Sequence, residues 1–240
     1  VSVARPVRIA LIHALAHSVG PINVEMASAW PEAICMNLLD DSLSADLARR
    51  GTGLDADMHA RFETLAAYAE AQGAHGILFT CSAFGPCIEA VAARRPHMPV
   101  LKPNEAMIDE AAAMGGRVGL VASFGPTLAT MPGEFPSSVD LRCELTEEAM
   151  QALNRGDFAA HDTCVVQAAR RLQDEGCAVI ALAQFSMARA AGVVVEATGL
   201  PVLTTPGSAV RCLQRRLGVA SILKCCQDSR SESNNRNHQN

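Results

Sequence analysis

The sequence predicts an α/β protein of two pseudo-symmetric lobes, each a parallel sheet flanked by helices, with an active site in the cleft between them. Three observations carry this prediction. Short β-rich runs alternate with long alanine-rich helical stretches, the order that a parallel sheet with covering helices requires. The pattern then restarts: Gly73-x-x-Gly76-Ile77-Leu78-Phe79-Thr80-Cys81 aligns with Gly176-x-x-Val179-Ile180-Ala181-Leu182-Ala183-Gln184 at an offset of 103. Finally, 240 residues with 49% apolar and 19% charged side chains are enough to bury the core of one large domain or two small ones.

The elements follow in order. Arg8–His13 (RIALIH) reads as a first buried strand, with a helix around Gly20–Trp30 and a second strand over Ala33–Leu39. Asp55–Ala74 is a long helix, because Met58, Phe62, Leu65 and Ala69 recur at helical spacing. Gly76–Cys81 is the third strand and Pro86–Arg95 a helix with proline in its first turn. Pro99–Leu101 is a short fourth strand leading into a helix over Glu105–Met114. Strands recur at Arg117–Ala122, Val139–Cys143, Val179–Ala183 and Pro201–Leu203, with helices between and after them. Further matches support a duplication: Pro99-Val100-Leu101 with Pro201-Val202-Leu203, Pro103-x-x-Ala106 with Pro206-x-x-Ala209, and Arg8–Ile12 with Arg117–Val121. The expected division is a first lobe over 1–104, with 206–224 packing back on it, and a second lobe over 105–205. Residues 225–240 are polar and without apolar period, so a disordered tail is expected there.

Composition excludes several functions. A net charge of −5 with two lysines, Lys102 and Lys224, leaves no electrostatic footprint for nucleic acid. Apolar runs such as Gly76–Cys81 and Ala178–Ala183 are far shorter than the roughly 20 residues that span a bilayer. No charged-then-apolar segment opens the sequence, so a cytoplasmic protein is expected. The nine cysteines lie mostly in apolar segments, without paired C-x-x-C spacing, and read as core filler rather than a zinc site. Cys225-Cys226 reads as incidental to the tail, and Asp40-Asp41 as solvated loop rather than a metal site.

Chemistry in such folds gathers at the carboxyl ends of strands. Three loops there carry small polar residues between a strand and a helix: Thr80-Cys81-Ser82, Ser123-Phe124-Gly125-Pro126-Thr127 and Gln184-Phe185-Ser186-Met187. Spare backbone N–H groups at helix starts suit a small carboxylate, and no loop has the spacing of a phosphate or dinucleotide motif. Cys81 stands at a strand end before a helix start, where the helix amino-terminus is expected to lower its pKa for proton transfer. His13 and His17 follow the first strand and offer substrate contact or a second base near neutral pH; Asn37 and Asn104 sit at equivalent strand exits. Phe84, Phe124 and Phe185 are candidates to line an apolar pocket.

The segment Ile77–Ala83 (ILFTCSA), the Gln184–Met187 stretch and the duplicated plan resemble the aspartate/glutamate/hydantoin racemase superfamily over roughly residues 7–218. The resemblance implies two α/β lobes, no cofactor and no metal, and one cysteine from each lobe on opposite faces of a carbon acid. Cys81 matches the first-lobe cysteine. The second position falls on Gln184, whose amide is neither acid nor base near neutral pH. Arylmalonate decarboxylases, related single-cysteine enzymes, keep the cysteine of the other lobe. The lead expectation is a racemase or isomerase acting at a carbon α to a carboxylate, with Cys81 as acid/base. A single-cysteine decarboxylase and a non-catalytic carboxylate-binding protein remain as alternatives. Ser82, Ser123, Phe124, Phe185, Ser186 and His13 are the expected substrate contacts, with Thr127 a lesser candidate; a homodimer is possible on the same resemblance.

Overall fold

The computed structural model describes residues 6–50 and 53–219. In the first lobe β1 (Arg8–His13) lies parallel to β2 (Ile34–Leu39) on one side and β3 (Gly76–Phe79) on the other, and β4 (Val100–Leu101) extends the sheet. The second lobe repeats this with β5 (Arg117–Ala122), β6 (Asp140–Leu145), β7 (Val179–Leu182) and β8 (Val202–Thr204). The strand orders, β2-β1-β3-β4 and β6-β5-β7-β8, are the same. So is the register: Ile9 pairs with Gly76, and Val118 pairs with Val179. β3 and β7 are thus equivalent at the offset of 103 read from the sequence.

Fully buried parallel strands read as continuous apolar runs, which is why GILF and VIAL are buried at every position. α3 (Ala56–Ala71) and α8 (Phe158–Asp174) precede these strands and are capped alike. Asp55 accepts the Met58 N–H at 2.9 Å and Asp157 accepts the Ala160 N–H at 3.0 Å. Both helices are followed by a glycine at positive φ, Gly73 at 79° and Gly176 at 82°, a conformation that side chains disfavour and that turns the chain into the next strand.

Each sheet is covered on both faces. α3 and α4 (Gly85–Ala93) bury Phe62, Ala66, Ile88 and Val91 on one face of the first sheet, and α1 (Val19–Ala29) lies on the other. α7 (Glu147–Asn154), α8 and α9 (Ala191–Thr198) cover one face of the second sheet. The remaining long helices cross over. α5 (Glu105–Met114) follows β4 yet packs Met107, Ile108 and Ala111 against Val118, Leu120 and Val179 of the second sheet. α10 (Thr205–Arg216) follows β8 yet packs Ala209, Val210 and Leu213 against Ile9, Leu11 and Leu78 of the first. The two helices also pack on each other at the junction of the lobes.

The structure differs from the sequence expectation in places. The second strand is followed, after Asp40-Asp41, by a further helix not expected there, α2 (Ser42–Arg50). Leu43 and Leu47 pack this helix on the first-lobe core, and the Asp40 carboxylate accepts the Ser42 N–H at 3.2 Å. The third strand ends at Phe79 rather than Cys81, because the Thr80 N–H bonds Ile12 O at 3.0 Å and the ladder closes there. Residues 220–240, with Lys224, Cys225, Cys226 and the expected tail, lie outside the described residues. Among those described, no helix is long and apolar enough to cross a membrane.

Candidate active site

Each sheet reverses its strand order beside its first strand, and the crevice at the carboxyl ends of the two strands flanking that switch point is where such folds bind ligands. In the first lobe these are β1, ending in His13, and β3, continuing into Thr80 and Cys81. His13 is fully buried. Its Nδ1 lies 2.8 Å from Thr80 Oγ1 and 3.1 Å from Ser18 Oγ, and its Nε2 lies 3.0 Å from Asn37 Oδ1. Asn23 Nδ2 donates to the Val19 carbonyl at 2.7 Å and to Asn37 Oδ1, and Asn37 Nδ2 donates back to Asn23 Oδ1, which fixes the orientation of both amides. His13 Nε2 therefore carries the proton given to Asn37, and Nδ1 accepts from a hydroxyl. Burial lowers the imidazole pKa, opposed by the Asn37 bond. His13 is thus a neutral brace between β1, β2 and β3 with both nitrogens occupied. The residue expected as a substrate contact or second base is thus placed as a buried imidazole in the crevice that Cys81 also lines.

Cys81 caps the short 3₁₀ turn Ser82–Phe84 with an extended backbone, φ −128° and ψ 121°, ahead of α4. It is half-buried over a narrow crevice whose walls include Ala14, Leu43, Phe62 and Phe79. Burial pushes the thiol pKa up; the Ala83 backbone N–H and the Ser44 hydroxyl, both within reach of the sulfur, pull only partly the other way. The expected lowering by the helix start is therefore overturned by desolvation, and the resting group at neutral pH is the thiol.

In the second lobe the same place is filled by an amide. Gln184 caps the turn Phe185–Ala190 with φ −118° and ψ 149°, close to the backbone of Cys81. Its Oε1 accepts the Ser123 backbone N–H at 3.0 Å and its Nε2 donates to Thr127 Oγ1 at 3.2 Å. Ser123 is buried at the end of β5 and Thr127 lies in α6 (Gly125–Thr130). Both ends of the amide are thus fixed across the second switch point. Ser123, Thr127 and Gln184 form one cluster.

The strand ends of the two lobes meet. The turn Phe185–Ala190 packs on α1 and on the turn Ala16–Ser18 of the first lobe, with Phe185 among Ile9, Leu11, Ile22 and Leu78. Phe185 is 7% exposed and Phe84 is fully buried against Phe62, so neither lines an open pocket; both are core residues. Phe124 alone of the three is exposed, at 53%. Ser82 is exposed and Ser186 half-buried on the two capping turns. His17 is exposed, while Asn104 is buried beside the Glu134 carboxylate. Asp40 does not stand as solvated loop: it pairs with Arg61 at 2.6 Å. Ser44, Ser18 and Asn23 carry no sequence expectation; the Asp40 cap and the i+4 spacing of Leu43 and Leu47 were the available signal for the first of them.

The model of the Asp/Glu/Hydantoin racemase family matches residues 24–213. The chain belongs to that family. Solved structures share its fold. Picrophilus torridus aspartate racemase is 11% identical with a TM-score of 0.64, over 88% of this chain and 94% of its own. The allantoin racemase from Pseudomonas fluorescens is 17% identical with a TM-score of 0.60, over 89% and 93%. Unliganded arylmalonate decarboxylase is 15% identical with a TM-score of 0.59, over 88% and 93%. No curated protein matches the chain in sequence. The family makes this a racemase-type enzyme.

Proposed function

We propose that the chain moves a proton at a carbon α to a carboxylate, with Cys81 as the thiol acid/base and the cleft between the lobes as the substrate site. The observation that carries this reading is the placement of a half-buried cysteine at the first-lobe switch point, in the crevice it shares with His13. Ser82 and Ser186, on the capping turns of opposite lobes, supply hydroxyls for the substrate carboxylate. As the α-carbon gains negative charge its density passes to the carboxylate as an enediolate, which such donors stabilise more than the ground state. Racemisation or isomerisation needs one group to take the α-proton and another to return one.

Decarboxylation is the second reading, and Gln184 favours it. That residue stands at the equivalent of Cys81, where an amide bonded to Ser123 and Thr127 supplies no second acid or base. In decarboxylation none is required. The C–CO₂ bond breaks, its electron pair remains as the enediolate, Cys81 gives its S–H proton to carbon, and water reprotonates the thiolate.

Chiral chromatography and CO₂ release distinguish the two, using aspartate, glutamate, a hydantoin and phenylmalonate as separate substrates. Inversion of an amino acid or hydantoin selects racemisation. Conversion of phenylmalonate to phenylacetate with CO₂ selects decarboxylation. Turnover that persists at the wild-type rate in Cys81→Ser contradicts the thiol mechanism under either reading.

A further inference from the structure

Cys81 is not alone at its end of the first lobe. α2 brings Ser44 to it, and the sequence reading had no helix there. Ser44 Oγ donates to the Ala14 carbonyl at 3.0 Å, and Ala14, Leu43 and Cys81 wall the same crevice. The start of α2 is itself clasped from α3. Arg61 reaches Asp40 Oδ2 at 2.6 Å, Ser42 Oγ at 2.5 Å and Asp46 Oδ2 at 2.7 Å, so one guanidinium binds the cap, the first residue and the second turn of α2. Fork-shaped bonds of this kind fix direction as well as distance.

The second lobe lacks this device. The Leu43 N–H bonds Asp40 O at 3.2 Å, and in the second lobe the Ala149 N–H bonds Thr146 O at 3.1 Å, with Leu43 and Ala149 both fully buried. That correspondence puts Met150 where the first lobe has Ser44. The hydroxyl accompanies the thiol; where the sulfur is replaced by the Gln184 amide, the hydroxyl is replaced by a thioether.

We propose that Ser44 is the side-chain hydrogen-bond partner of the Cys81 sulfur during proton transfer, and that Arg61 is a positioning residue that sets Ser44 through α2. The proposal rests on the reading of Cys81 given above and adds a second group to it. When the S–H bond breaks and its proton passes to carbon, the electron pair stays on sulfur. The Ser44 O–H then turns from the Ala14 carbonyl to the thiolate, beside the Ala83 N–H, and no bond to Ser44 is made or broken. Charged groups nearby are committed elsewhere: Asp40 and Asp46 to Arg61, Glu89 to Lys102, while His13 faces the crevice as a neutral imidazole.

The test does not depend on knowing the substrate. Iodoacetamide labelling of the Cys81 peptide in the full chain is followed against pH by mass spectrometry, with exposed Cys143 as internal reference. In Ser44→Ala the labelling midpoint moves to higher pH, so that labelling at about pH 8 falls roughly threefold to tenfold, whereas Ser44→Thr keeps the wild-type profile. Arg61→Met and Arg61→Lys shift the midpoint in the same direction by less. A wild-type profile in Ser44→Ala overturns the role of Ser44. A wild-type profile in both Arg61 variants, with only Tm lowered, overturns its positioning role. Failure to turn over any carbon acid leaves these labelling results unaffected, so the inference and the proposed function fail separately.

Discussion

At the scale of single residues, two equivalent positions have been given opposite chemistry. Cys81 and Gln184 cap corresponding turns with similar backbones, and the lobes differ there in what the side chain can do with a proton. Replacing Gln184 by Cys puts a thiol at the corresponding position of the second lobe. Gln184→Cys is predicted to raise racemisation of an α-carbon acid, or of a chiral decarboxylation product, by about 10²-fold, the lower end of what a positioned acid or base contributes; chiral chromatography reads it. An unchanged rate would show that the second position does not face the substrate. The pH dependence of wild-type turnover follows from the raised thiol pKa. Where Cys81 acts as the acid, activity holds through neutral pH and falls only as pH rises past the ordinary thiol range. A rate that instead rises through that range would assign Cys81 the role of base, active once deprotonated. Much of this scale was legible: the offset of 103 places Gln184 opposite Cys81 before any coordinates. The state of His13 was not, because its burial and its bonds to Asn37, Ser18 and Thr80, residues of three separate segments, arise only in the fold.

At the scale of elements, caps decide where helices point. Thr204 accepts the Gly207 N–H at 3.1 Å to start α10, and a Cβ on Gly207 would lie 2.7 Å from that same Thr204 Oγ1. Gly207→Ala therefore loses the cap and is predicted to cost about 1–2 kcal/mol, read as a denaturant midpoint shift. A neutral effect would mean that the hydroxyl turns away without cost. At α2 the sign of the pH effect is fixed by Asp40. Burial opposes its charge, but the Ser42 and Arg61 bonds outweigh it and hold the carboxyl below its usual range. The stability this contributes is present at neutral pH and is lost as pH falls through the ordinary carboxylate range toward the lowered native value. Amide exchange of α2, compared between wild type and Asp40→Asn, is expected to show this loss only in wild type. Helix α2 itself was missed in the sequence because Asp40-Asp41-Ser42 resembles solvated loop unless Leu43 and Leu47 are read with it.

At the scale of the whole molecule, the lobes exchange their closing helices. α5 and α10 each leave one sheet to cover the other, so neither lobe keeps its full covering without its neighbour. Glu110 of α5 ties the exchange, with Ser208 Oγ at 2.7 Å, Arg211 Nη2 at 2.6 Å and Arg215 Nη1 at 3.2 Å. Glu110→Ala is predicted to lower stability by about 1–3 kcal/mol, discounted toward the lower value because the arginines stay partly solvated. Calorimetry of both proteins should show one cooperative transition, and two separated transitions would contradict the exchange as the source of cohesion. The duplication was legible in order and spacing. The expected division, 206–224 with the first lobe and 105–205 with the second, already assigns α10 and α5 to the sheets they cover; the Glu110 tie was not legible, because its partners Ser208, Arg211 and Arg215 lie about a hundred residues away in the chain.

The central claim is that one thiol, Cys81, hands a proton to a carbon beside a carboxylate. Proton NMR in deuterated buffer tests it most directly, comparing wild type with Cys81→Ser on a carbon-acid substrate that the wild type turns over. The prediction is deuterium at the α-carbon with wild type and a loss of about 10²- to 10⁴-fold in its appearance with Cys81→Ser. Equal deuterium incorporation by the two proteins would contradict the claim.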